Sequence, residues 1–214
     1  MIDAIRPILE LVYFASGPLT FIVACIALYH LKIARDSARV NARRDSLRLA
    51  ASQCDSYHRY IIPLINSLDD AVKNNGIVYF EKAEVDVEGD AIRVRPNLTM
   101  DELMEEQKKM MKITGRFTEA FNAIEAFAVF FVSGVADENV AFSSVGKTYC
   151  YTVRHYLPDV VPVLELGGHY RNMIKLFLMW NARLEKQKLL KDKGKIEQQL
   201  DRVRDKFIRP VGTD

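Results

Sequence analysis

The sequence predicts a mainly α protein: a single N-terminal transmembrane helix, a cytoplasmic helical bundle with one small β-hairpin, and a charged C-terminal helix. Three observations predict it. Residues 11–29 carry no charge and are strongly apolar. Over much of the rest, apolar residues recur at intervals of three, four and seven. One short stretch alternates apolar and polar residues on both sides of Glu88-Gly89-Asp90.

The apolar run comes first. With His30 and Leu31 it extends to twenty-one residues, which at about 1.5 Å rise per residue spans roughly 30 Å, the thickness of a bilayer's hydrocarbon core. It is apolar nearly all round, whereas a helix buried in a globular core keeps a polar face. Tyr13 and Tyr29 stand near its ends, where interfacial aromatics belong, and Gly17-Pro18 predicts a kink inside it. Before the run, Arg6 is offset by Asp3 and Glu10; after it come Lys32, Arg35, Arg39, Arg43, Arg44 and Arg48. That asymmetry predicts an outside N-terminus and a cytoplasmic C-terminal side. A cleaved signal peptide is disfavoured, because the basic residues lie on the wrong side of the run.

The chain divides into an anchor (1–31), a basic juxtamembrane helix (32–56), a helical domain (57–181) with its hairpin near 78–95, and a charged helical tail (182–214). The juxtamembrane stretch holds six basic against two acidic residues through position 53, and Arg35, Arg39 and Arg43 stack at four-residue spacing. These six basic residues are the expected membrane-surface contacts, drawn to anionic lipid at about 1 kcal/mol each. Helix is expected to continue through residues 57–72, with a kink at Pro63, and to stop at Asn74-Asn75-Gly76. Val85, Val87, Ile92 and Val94 form the hairpin at the domain's edge.

One long helix follows from Thr99, which can cap it, as can Asp101; the first turn is acidic, matching the helix dipole. Leu103, Met110, Ile113, Phe117, Phe121, Ile124 and Phe127 make its buried stripe. Met104, Met110 and Met111 are assigned to core packing rather than to a ligand groove. Residues 120–135 are apolar, but Glu119, Glu125 and Asp137 leave too short a clean stretch for a second span, so a buried helix is expected. The next helix opens at Asp137-Glu138-Asn139 and is expected to end at Pro158, with Pro162 and Gly167-Gly168 in a connection. The last begins near His169 with Met173, Leu176, Phe177 and Trp180 inward. Beyond it Leu189, Ile196, Leu200, Val203 and Phe207 follow a short heptad pattern interrupted by Lys193-Gly194, open to a helix pairing, a dimer contact or a frayed tail.

Chemistry is sparse. No glycine-rich phosphate loop, nucleophile elbow or zinc-binding helix motif occurs. Cys25, Cys54 and Cys150 are scattered, giving neither a disulfide framework nor a zinc site. Cys54 with His58, and His155 with Asp159, are four apart but weak as reactive pairs. No cofactor or metal is implied. Direct nucleic-acid binding is disfavoured, since the body between residues 54 and 181 carries 13 basic against 18 acidic residues. Glu125, set among Phe121, Ile124, Phe127 and Phe130, is the candidate buried polar residue, expected to find a partner on a neighbouring helix.

The segment Asn122-Ala123-Ile124-Glu125-Ala126-Phe127-Ala128, followed by Gly134-Val135-Ala136-Asp137-Glu138, resembles a bacterial family with an N-terminal membrane helix and an all-helical domain. The resemblance covers the anchor and roughly residues 100–180. Many of that family are uncharacterised, and some are presumed membrane effectors of abortive-infection or retron-type anti-phage systems. It implies a non-enzymatic effector in the bacterial inner membrane, controlled by a cytoplasmic protein partner and acting on the bilayer on release or oligomerisation. The competing expectation is a tether that recruits a cytoplasmic protein.

Overall fold

The computed structural model describes residues 2–204. The chain divides into two compact units, Met1–Arg48 and Leu49–Asp214. The first lies wholly in helix α1 (Ile2–Ser56), which runs through Gly17-Pro18 without interruption. The hydroxyls beside that proline are satisfied inside the helix: Ser16 Oγ donates to the Tyr13 carbonyl at 2.8 Å and Thr20 Oγ1 to that of Ser16 at 2.7 Å.

The second unit is a helical bundle with a two-stranded antiparallel hairpin. The end of α1 enters a π-helical turn, Tyr57–Ile61, and then α2 (Ile62–Asn74). Pro63, in the first turn of α2, cannot donate a backbone hydrogen bond, and the wider turn just before it accommodates the defect: the Ile62 N–H reaches back to the Tyr57 carbonyl. Ala50, Cys54, Tyr57, Ile61, Ile65, Leu68 and Val72 thereby form one buried stripe across the change of pitch. The helix stops where expected, with Gly76 at φ +58°.

A single turn, α3 (Tyr79–Lys82), leads into β1 (Ala83–Glu88) and β2 (Ala91–Pro96). Val85 faces Val94 and Val87 faces Ile92, so the half-buried valines and isoleucine share the face that packs on the core. Thr99 caps α4 (Met100–Lys112) in a capping box with Glu102.

The expected single helix from Thr99 is in fact two. Ile113 breaks it with φ −115°, and α5 (Thr114–Val132) starts anew. Thr114 Oγ1 donates to the Met110 and Met111 carbonyls at the break, at 3.3 and 3.1 Å, and Gly115 gives little support to a continuous helix. The stripe itself holds: Ile113, Phe117, Phe121, Ile124 and Phe127 are buried. Phe117, Ala120, Phe121, Ile124, Phe127, Ala128 and Phe131 of α5 are buried, so the helix packs into the core, as its length implied, with Val129 on its exposed side.

A second correction concerns α6 (Glu138–Gly167), which does not end at Pro158 but contains both Pro158 and Pro162. Each proline costs a helix interior about 3 kcal/mol. Here Leu157, Pro158, Val160 and Val161 are buried, and burial of each large aliphatic side chain is worth roughly 1.5–3 kcal/mol. The acceptor vacated by Pro162, the Pro158 carbonyl, takes a hydrogen bond from the Tyr79 hydroxyl at 3.3 Å. The helix closes at Gly168, φ +67°, whose N–H bonds the Leu164 carbonyl.

Helix α7 (Arg171–Arg204) begins two residues later than expected and passes through Lys193-Gly194 unbroken. Met173, Leu176, Phe177 and Trp180 are buried. Trp180 meets Tyr149 at 5.0 Å between ring centroids, and Tyr57 meets Phe127 at 4.9 Å, so the π turn, α5, α6 and α7 share one aromatic core. Leu189, Ile196 and Leu200 stay exposed on the tail. Phe207, the last heptad position, lies outside the described residues.

Candidate functional site

Within the first unit, one segment is long and apolar enough to cross a membrane, and none of its apolar window is buried by protein. Tyr13, Phe14, Leu19, Phe21, Ile22, Val23, Ile26, Leu28, Tyr29 and Leu31 are all exposed. Water is a poor solvent for such a surface, at roughly 25 cal/mol per Å². The next turns change character completely. Lys32, Arg35, Arg39, Arg43, Arg44 and Arg48 are exposed along the same helix. An apolar segment that no protein surface covers is thus followed directly by an exposed basic one.

Within the second unit, Glu125 has the neighbouring-helix partner expected of it. Its Oε1 accepts from the Asn172 backbone N–H at 3.2 Å and from Asn172 Nδ2 at 2.7 Å, and its Oε2 from the Met173 N–H at 2.7 Å. The carboxylate therefore caps α7 from α5, using donors and dipole that the helix start leaves free. Two more carboxylates do similar work. Glu138 accepts from Trp180 Nε1 and pairs with Arg183, whose guanidinium lies 4.0 Å from the Phe142 ring centroid. Glu106 accepts from the Val78 and Tyr79 N–H groups at 2.7 and 3.0 Å and pairs with Lys109 at 2.6 Å. Burial alone would raise its pKa, but Lys109 and the two N–H donors outweigh burial and hold it below the usual range. Within the Glu125–Glu138 segment two carboxylates serve helix ends: Glu125 caps α7, and Asp137 caps α6 through Val140.

The reactive pairs do not assemble. His58 Nδ1 bonds the Cys54 carbonyl, not its thiol, at 2.7 Å, and burial pushes that thiol's pKa up. The Cys150 thiol is likewise pushed up, to about 12, by burial. His155 stacks on Tyr156 and Phe80 and makes no hydrogen bond to Asp159 among the described residues. Among those residues there is also no group of three or more metal-ligating side chains.

Two features were not legible in sequence. One is a polar cavity of about 230 Å³ between α2 and α6, where the Tyr156 hydroxyl donates to the Asp69 carboxylate beside Lys73, Tyr151 and His155. The other is a groove along α4, α5 and α6. It corrects the assignment of the methionines to the core: Met104 and Met111 are 50% and 62% exposed, and only Met110 is half-buried. Met111 lies in the last turn of α4, where it lines the groove, while Phe117 on α5 is buried. Met110 and Met111 line this groove and give it a soft, adaptable apolar wall, while Met100 and Met104 are exposed elsewhere on α4.

Compared with known proteins, the chain matches no family model, no curated protein and no solved structure.

Proposed function

We propose that the protein is a membrane-anchored, non-enzymatic module, fixed by its first helix in a bacterial inner membrane with its helical domain in the cytoplasm, where it binds a protein partner. The observation that carries this reading is the apolar segment of α1 that no protein surface covers, followed directly by six exposed basic residues. The basic side sets the direction by the positive-inside rule, and its charges attract anionic lipid. The resemblance of residues 122–138 to a bacterial family, some of whose members are presumed anti-phage membrane effectors, suggests an effector role, in which partner release or self-association lets the anchor act on the bilayer.

The exposed apolar residues Leu189, Ile196 and Leu200 favour a second reading, a tether that recruits its partner through the tail. Both readings are tested together. A C-terminal green fluorescent protein fusion should fluoresce and stay with carbonate-washed membranes; an active C-terminal alkaline phosphatase fusion instead would refute the orientation. Overexpression of the full chain should collapse membrane potential if it is an effector, and deletion of residues 1–31 should abolish that toxicity. Intact growth and potential, with and without phage, would sink the effector role and leave the tether.

A further inference from the structure

We propose that the groove around Asp159 is a binding site for an alkylammonium group, a primary amine carried on an apolar chain. This goes beyond the membrane reading and does not rest on it, since every residue involved lies in the helical domain. Asp159 stands on α6 between Pro158 and Pro162, and two cavities of about 310 and 230 Å³ adjoin it. Asp159, Gln107 and Met110 line both. The larger is walled by Met111, Phe117, Phe121 and Tyr170, the smaller by Tyr79, Leu103 and Pro162.

The other interior carboxylates of this domain are occupied. Asp69 receives Tyr156, Glu106 receives two backbone N–H groups and Lys109, Glu125 caps α7, and Glu138 holds Trp180 and Arg183. Asp159 accepts no hydrogen bond and makes no ion pair among the described residues. Yet it is half-buried, and burial pushes its pKa up. Tyr79 and Tyr170 lie close enough that, after burial, its charge is the next cause raising both their pKa values. The Tyr79 hydroxyl is turned instead to the Pro158 carbonyl. An unpaired carboxylate partly withdrawn from water costs free energy that a bound cation would recover.

The shape selects the cation. Methionine and aromatic walls suit methylenes and, at the ring faces, positive charge. Asp159 supplies the ion pair, and Gln107, which lines both cavities, carries a side-chain amide able to offer a second acceptor. An ammonium has three donors, whereas a guanidinium would leave more of its five unmet. Tyr170 adds an independent sign of a site under constraint. It is the one non-glycine described residue with positive φ, at +63°, a conformation that costs roughly 1–2 kcal/mol and is held between Gly168 and the Glu125-capped start of α7.

The test titrates the full chain in detergent micelles with n-hexylamine, reading the methyl NMR signals of Met110 and Met111, with n-hexanol as the neutral control. Saturable binding at neutral pH is expected, at least about tenfold tighter for the amine than for the alcohol. Asp159→Asn should remove that preference while unfolding at the same temperature as wild type or higher. Equal affinity for alcohol and amine, an unchanged Asp159→Asn, or no saturation in the millimolar range would overturn the site. So would an Asp159→Asn protein that fails to fold, because the carboxylate would then have a structural partner. The same chemistry could come from a free amine or from a partner's lysine. Native mass spectrometry of protein taken from its own membranes should show a small added mass, absent in Asp159→Asn, if the amine is free. A zero-length carbodiimide cross-link at Asp159 should appear if it is a lysine. Neither result appearing would also overturn the proposal.

Discussion

Glu125 offers the sharpest quantitative test of how the helices are joined. Replacing it with alanine leaves the Asn172 and Met173 N–H groups and the Asn172 amide without their acceptor, and removes a negative charge from the start of α7. Losing a helix N-cap costs about 1 kcal/mol, and a partly buried charge at a helix dipole is worth up to about 2 kcal/mol. The three hydrogen bonds share one carboxylate, so their values do not add in full. A loss of about 2–3 kcal/mol is expected for Glu125→Ala and about 1 kcal/mol for Glu125→Gln, which keeps one acceptor oxygen. In a domain of this size that is a fall in melting temperature of about 5–10 °C for the alanine variant. Urea unfolding followed by far-ultraviolet circular dichroism measures the free energy, and hydrogen exchange measures the cause: the Asn172 and Met173 amides should exchange faster while the centre of α7 stays protected. If Glu125→Ala unfolds within about 0.5 kcal/mol of wild type, the capping account is wrong.

Three further outcomes are expected. Tyr79→Phe should cost about 1 kcal/mol by leaving the Pro158 carbonyl unpaired, and most of that cost should vanish in a Pro162→Ala background, where residue 162 regains the N–H that bonds this carbonyl; additive effects in the four-protein cycle would contradict the arrangement. Glu106 has a depressed folded pKa, so its stabilising contribution is complete above its ordinary value of 4.5 and is lost as pH falls through the lower folded value. Glu106→Gln should therefore destabilise by about 1–2 kcal/mol at pH 7, and the gap should close in acid; a gap independent of pH would show that the charge is not what matters. Ile22→Arg, in the middle of the apolar segment, should raise the cost of membrane insertion by about 3 kcal/mol and shift protein from the carbonate-resistant membrane fraction to the soluble or degraded one; unchanged fractionation would argue against a span.

Much of the helical architecture was legible because it depends on local pattern. The Phe117–Phe127 stripe, the Thr99 cap, the stop at Gly76 and the facing valines of the hairpin follow from periodicity and turn chemistry. The misreadings are places where partners distant in sequence overrule a local rule. Pro158 and Pro162 would end an isolated helix, but the Tyr79 hydroxyl, 79 residues before the carbonyl it satisfies, and the burial of Val160 and Val161 keep α6 going. The break at Ile113 is nearly invisible in an unbroken apolar stripe, and Met111, like Met104, lies on the exposed side of α4 rather than in the expected core. Glu125 could be singled out as a carboxylate needing a partner, but nothing in its neighbourhood named Asn172 and Met173.

By itself, the sequence determined the anchor-like segment, the basic stretch after it and the inward face of most helices, since apolar spacing and charge are properties of contiguous residues. Tertiary structure alone decided which carboxylates are satisfied. Glu106, Glu125 and Glu138 find donors on other elements, whereas Asp159 meets two cavities and, among the described residues, no donor. That distinction is set by the three-dimensional supply of N–H groups, and a one-dimensional pattern does not carry it.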